Sequence, residues 1–88
     1  MPQTNINAVL KMVKAYLDGK VTMTDFVLDF PYEMEKRYAR MQKEDSEYAE
    51  MIYDELLTAG VDQADRLSET EFRELMQAQY EDVMQGVW

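Results

Sequence analysis

Residues 5–30, N-I-N-A-V-L-K-M-V-K-A-Y-L-D-G-K-V-T-M-T-D-F-V-L-D-F, carry the pattern that decides the fold. Ile6, Val9, Leu10, Val13 and Leu17 recur at steps of three and four, the mark of one buried helical face. Lys11 and Lys14 fall off that face. Asn5 suits an N-cap, and Asp18-Gly19 suits a stop, because glycine enters the left-handed region that closes many helices. A second helix follows at once. Thr22 is its N-cap, Asp25 stands close to capping-box spacing, and Val21 and Phe26 are placed as a hydrophobic staple.

The same grammar continues downstream. The second helix passes Val27, Leu28 and Phe30 and meets Pro31, whose missing amide donor predicts an end or a kink. Proline also suits the first turn of a new helix. Tyr32 opens the next segment, in which Met34, Tyr38, Met41, Tyr48, Ile52, Leu56 and Ala59 fall on one stripe. A single helix over 32–59 would be about 42 Å long at 1.5 Å per residue. That is wider than a domain of this size, so a break is expected around Glu44, Asp45 and Ser46. Gly60 closes the segment. Ser68-Glu69-Thr70-Glu71 is a full S-x-x-E capping box, with Leu67 and Phe72 as its staple. Phe72, Leu75, Met76, Val83 and Val87 line the buried side of the last helix, and Trp88 is expected to fold back onto the core. No strand alternation or hairpin signal occurs. The expectation is an all-α fold: residues 1–88 as one domain, a compact bundle of four to five helices with short connections.

Composition narrows the chemistry. There is no cysteine, so no disulfide, thiolate nucleophile or thiolate metal site can form. There is no histidine, which removes the commonest general base and the commonest zinc ligand. Both absences argue for a protein that is not an enzyme and carries no cofactor or metal. Residues 18–26 and 64–72 resemble the second half of an EF-hand loop, with Asp25 and Glu71 in the last position. Each loop keeps one of the three upstream carboxylates that calcium needs: Asp18 in the first, Asp62 in the second. Caps and staples explain both segments. The other acidic set considered for metal or catalysis is Glu44, Glu47, Glu55 and Asp62. No apolar run reaches the length of a signal-peptide core or membrane span, so a cytoplasmic location is expected.

Charge is the most informative feature. Residues 1–43 hold five acids and seven bases, a net of +2; residues 44–88 hold thirteen acids and two bases, a net of −11. Such an acidic half repels phosphates and acidic membranes and attracts basic surfaces. Solubility alone is the bland account of so much charge. Glu47, Glu50 and Asp54 form a stripe opposite the Tyr48–Ile52–Leu56 face, and Tyr53 borders it as the best exposed aromatic anchor. Glu74 and Glu81 point off the last helix, with Asp82 nearby, and Asp62 and Asp65 lie in the connection. Glu47, Glu50, Tyr53, Asp54, Asp62, Asp65, Glu74 and Glu81 are thus the candidate partner-binding residues. Lys36, Arg37, Arg40 and Lys43 form a basic cluster, but Glu33, Glu35 and Glu44 surround it. Pairing within the helix, Glu33 with Arg37, explains it better than nucleic-acid binding. Eight methionines and six tyrosines are many for this length. Met34, Met41, Met76 and Tyr38 sit at core spacings.

Residues 15–26, A-Y-L-D-G-K-V-T-M-T-D-F, resemble the small immunity proteins that protect bacteria from colicin D-like toxins, and E-K-R-Y at 35–38 is compatible. About a quarter of the chain is covered. The resemblance implies a helical bundle whose acidic side chains imitate RNA phosphates in a basic, tRNA-cleaving site. None of that family's binding residues maps one for one. The leading expectation is a helical inhibitor of a basic nuclease or other nucleic-acid-binding enzyme, without direct nucleic-acid or membrane binding. A phage-encoded inhibitor of a nucleic-acid-targeting defence system would use the same physics. An interaction module is the alternative from another class: its two halves could pair head to tail, or two copies could share Tyr53, Met51 and Trp88 as a homodimer.

Overall fold

The first helix does not start where its own sequence puts the cap. In the structure, a computed structural model describing residues 3–85, α1 spans Thr4–Leu17 with Gln3 at its N-cap, and no side chain of the cap residue closes it. The cap comes instead from the far end of α2 (Met23–Glu44). Glu44 accepts from the Asn5 and Ile6 amides at 2.9 Å each, and from the Asn5 side chain at 2.9 Å. Asn5 therefore lies inside α1 and bridges to α2, donating to Glu44 and accepting from Arg37 Nη1 at 3.0 Å. These bonds join the start of α1 to the end of α2, so the two helices run antiparallel. Desolvation pushes the Glu44 carboxyl up, but the Ile6 and Asn5 hydrogen bonds and the Arg37 charge outweigh it and hold its pKa below the ordinary value.

Gly19, at φ 80°, makes the turn that only glycine takes without strain. Thr22 then caps α2 by accepting from the Asp25 amide at 3.1 Å. Pro31 neither ends α2 nor opens a new helix; α2 runs through it for 22 residues. Phe26 and Phe30 before the proline, and Met34 and Met41 after it, are all buried on one side, so tertiary packing offsets the lost hydrogen bond. At 1.5 Å per residue α2 is about 33 Å long, which fits the 37 Å long axis of the fold.

The chain breaks at Asp45, as the length of the 32–59 segment predicts. Asp45 is extended at φ −165° and ψ 100°, and its carboxylate caps α3 (Ser46–Ile52) by accepting from the Tyr48 amide at 3.0 Å. A π-helical turn, Tyr53–Thr58, follows α3 directly, and a 3-10 turn, Val61–Arg66, leads to α4 (Glu69–Gln85). The wider π turn shifts the register. Leu57 is buried beside Leu56, and Ala59, expected on the buried stripe, is exposed. Gly60 has φ −120°, so it is no left-handed stop. It is needed because a Cβ there would collide with the Leu56 carbonyl and press on Met76 Sδ. The Ser68 box forms reciprocally: Glu71 N donates to Ser68 Oγ at 3.2 Å, and Ser68 N donates to Glu71 Oε1 at 3.0 Å. Val87 and Trp88 lie outside the described residues.

The architecture is an all-α bundle, and no strand occurs among the described residues. The buried side chains form one cluster. Its densest corner is aromatic. Tyr16 stacks on Phe26 at 4.8 Å, with Phe30 and Phe72 at 5.1 and 6.3 Å from Phe26. This corner joins α1, α2 and α4. No described helix is long and apolar enough to cross a membrane.

Replacing Glu44 with Ala should lower unfolding free energy by about 1 kcal/mol in urea, since a half-buried cap is lost. Glu47→Ala, on the exposed face, should change it by no more than about 0.5 kcal/mol. Because the Glu44 pKa is depressed in the fold, its contribution is present above the unfolded carboxylate value of 4.5 and lost as pH falls through the folded one. Equal stabilities for the two variants near neutral pH would refute the cap.

Candidate functional site

α3 and the π turn display carboxylates because their apolar residues face inward. Tyr48, Ala49 and Ile52 are buried, and Glu47, Glu50 and Asp54 are exposed on the opposite side. α4 repeats the arrangement: Phe72, Met76 and Val83 are buried, and Glu74 and Glu81 are exposed. Asp62 and Asp65 are exposed on the 3-10 turn between them. Seven of the eight sequence candidates thus reach solvent.

Tyr53 does not. It is half-buried, its ring lies 4.8 Å from Tyr38, and its hydroxyl donates to Glu35 Oε1 at 2.7 Å. That hydrogen bond, then desolvation, raises its pKa. Tyr53 fastens the π turn to α2 and is not an exposed anchor. Met51 is also packed against the core, so the dimer patch expected from Tyr53, Met51 and Trp88 is not displayed by its described members. Tyr38 is half-buried too, whereas Met34, Met41 and Met76 are fully buried.

The acidic segments meet where sequence reasoning did not place a contact. Glu55 on the π turn faces Asp82 on α4, and one of its oxygens, Oε2, is buried without a donor. Desolvation by burial, then the neighbouring carboxyl of Asp82 and the charge of Asp54, push the Glu55 pKa up to about 7. In the sequence, Asp54 precedes Glu55 and Glu81 precedes Asp82. Tyr48 supports the seam from beneath: its buried hydroxyl donates to the Val83 carbonyl at 3.0 Å. Burial, then the nearby Tyr80 and Asp45, pushes the Tyr48 pKa up to about 12.

Cations do little to relieve this surface. Among the described residues the ion pairs are Lys14 with Asp18 at 3.1 Å, Lys36 with Glu33 at 4.0 Å and Arg37 with Glu33 at 3.1 Å. All three lie before residue 38. Of the two bases in the acidic half, Arg73 turns inward. It donates to the Leu17 carbonyl at 2.8 Å and lies 4.8 Å from the Tyr16 ring centre. Several acids are engaged locally: Glu44, Asp45 and Glu71 in caps, and Glu81 by Gln77 at 3.2 Å. The set Glu44, Glu47, Glu55 and Asp62 does not converge, because Glu44 is at the α1 cap and Glu55 at the seam with Asp82. Among the described residues no acidic group of three or more could hold a metal ion.

Compared with known protein families, curated proteins and solved structures, the chain matches none. The likeness of residues 15–26 to the immunity proteins rests on those residues alone.

The seam makes a pH prediction. The folded state holds the Glu55 proton up to about 7, and the unfolded chain only to 4.5. The stabilisation is therefore full below the unfolded value and lost as pH rises through the folded one. Glu55→Gln should raise the melting temperature at about pH 8 and leave it nearly unchanged at about pH 5. A difference between variant and wild type that is constant across that range would show that Glu55 titrates normally.

Proposed function

We propose that the protein is a non-enzymatic inhibitor that binds a basic, nucleic-acid-handling enzyme through the carboxylates of residues 44–85. One observation carries the reading: among the described residues, the acidic half contains no ion pair. Carboxylates left unpaired on short, core-anchored helices are pre-positioned for Lys and Arg side chains that otherwise hold phosphates. An enzyme that binds nucleic acid presents such cations in its cleft. Facing surfaces of opposite sign accelerate association, and salt weakens the effect. The proposed contact set is Glu47, Glu50, Asp54, Asp62, Asp65, Glu74 and Glu81, all exposed. In this reading the immunity-type likeness is one of strategy, a helical scaffold that offers carboxylates in place of phosphates.

Glu50→Lys with Asp54→Lys tests the proposal. Both positions are exposed, so melting should shift little. The wild type should capture a nucleic-acid-binding enzyme from lysate of the encoding organism at low salt and block its activity. The variant should associate at least about 10-fold more slowly, and the gap should close as salt rises. Capture that ignores both charge reversal and salt would remove the electrostatic reading.

A further inference from the structure

The outward side of α2 carries a second surface of different character. Asp25, Leu28, Asp29, Tyr32 and Lys36 recur at steps of three and four, and all five are exposed. Leu28 and Tyr32 are 69% and 66% exposed, the largest values among the exposed large hydrophobics. They sit at the middle of the stripe, with acids toward the start of the helix and a base toward its end. Lys36 reaches back over Tyr32, 5.9 Å from the ring centre, and its contact with Glu33 is long at 4.0 Å. Asp25 makes no ion pair among the described residues. A groove of about 120 Å³ borders the acidic end, lined by Met12, Ala15, Val21, Asp25, Phe26 and Asp29.

The order of signs selects the occupant. A uniformly basic helix would meet Lys36, and a uniformly acidic one would meet Asp25 and Asp29. A second copy turned end for end satisfies both ends. Antiparallel pairing of two α2 helices, centred between Phe30 and Pro31, sets Asp25 opposite Lys36 twice over and brings Tyr32 opposite Asp29 at the edge of the groove. A two-fold interface requires this reciprocity. We infer that the α2 stripe is a self-complementary interface through which two copies of this chain associate. Its apolar centre is small, so the dimer is weak, with dissociation in the range of about 10 µM to about 1 mM. The buried side of α2 packs against α1, α3 and the turns, and the exposed stripe lies on the other side of the helix, with Met12 and Ala15 of α1 at the edge of the groove.

Sedimentation velocity from about 10 µM to about 1 mM, at about 150 mM salt, measures this directly. The wild type should shift from monomer to dimer with concentration; a monomer at the top of the range overturns the inference. Leu28→Glu with Tyr32→Glu should weaken dimerisation at least about 10-fold, with unchanged helicity by circular dichroism. A dimer that persists in that variant uses another face and also overturns the inference. Asp25→Lys and Lys36→Asp should each weaken self-association several-fold, because each sets like charges opposite one another. Mixing the two variants restores opposite charges at both contacts, so the mixture should pair. No gain on mixing would overturn the antiparallel register.

Discussion

The contact between Arg73 and α1 governs both the fold and its surface. The guanidinium lies over the Tyr16 ring and donates to the carbonyl that ends α1. It thereby closes the aromatic corner where Tyr16, Phe26 and Phe72 hold the three long helices together. A cation at a helix C-terminus and over an aromatic face is favourable on both counts. The same placement removes one of only two bases from the acidic half. Core assembly and surface charge are thus coupled through one side chain: the residue that docks α4 is the residue that could have neutralised it.

Glu44 works the opposite way. It is an acid of the negative half spent inside the fold, at the amides of α1. An anion at a helix N-terminus is stabilised by the orphan amides and the dipole. The antiparallel pair α1–α2 is therefore clamped at one end by Glu44, and its other end is sealed by the aromatic corner. The remaining elements, α3 to α4, lean on that pair and carry their carboxylates outward. Glu55 faces Asp82 where two of these elements meet, and burial together with the neighbouring carboxylates raises its pKa.

Local signals were legible in the sequence, and distant ones were not. The Ser68 box, the Thr22 cap and the Gly19 turn each depend on residues within four positions, and each stands where its spacing puts it; the Asp45 break follows from the length of the 32–59 segment. The α1 cap links residues 39 apart, and the Arg73 contact links residues 56 apart, so no pattern along the chain could announce them. The helix end expected at Pro31 does not occur, because propensity ignores what lies on both sides of the proline; four buried side chains hold α2 through it. The π turn was invisible for a similar reason. An α-helical stripe extrapolated past Ile52 places Ala59 inward, and the added residue per turn puts Leu57 there instead. Of the candidate site, the exposed carboxylates were readable from polarity opposite a buried stripe. Tyr53 was not, because an amphipathic ring gives no sign of which neighbour will take its hydroxyl.

The two surfaces of the molecule differ in what they can recognise. A face of one sign repels its own copy and attracts only the opposite sign, which is why the proposed partner of the α3 and α4 carboxylates is a foreign, basic protein. A face that carries both signs in order along a helix discriminates by register and suits a copy of itself. The uneven distribution of charge along the chain keeps these two kinds of recognition apart. Had the acids been spread evenly, repulsion between copies would oppose the proposed pairing on α2, and the outward sides of α3 and α4 would carry less charge. Segregating charge between the halves is therefore a physical condition for a small acidic protein to carry both surfaces at once.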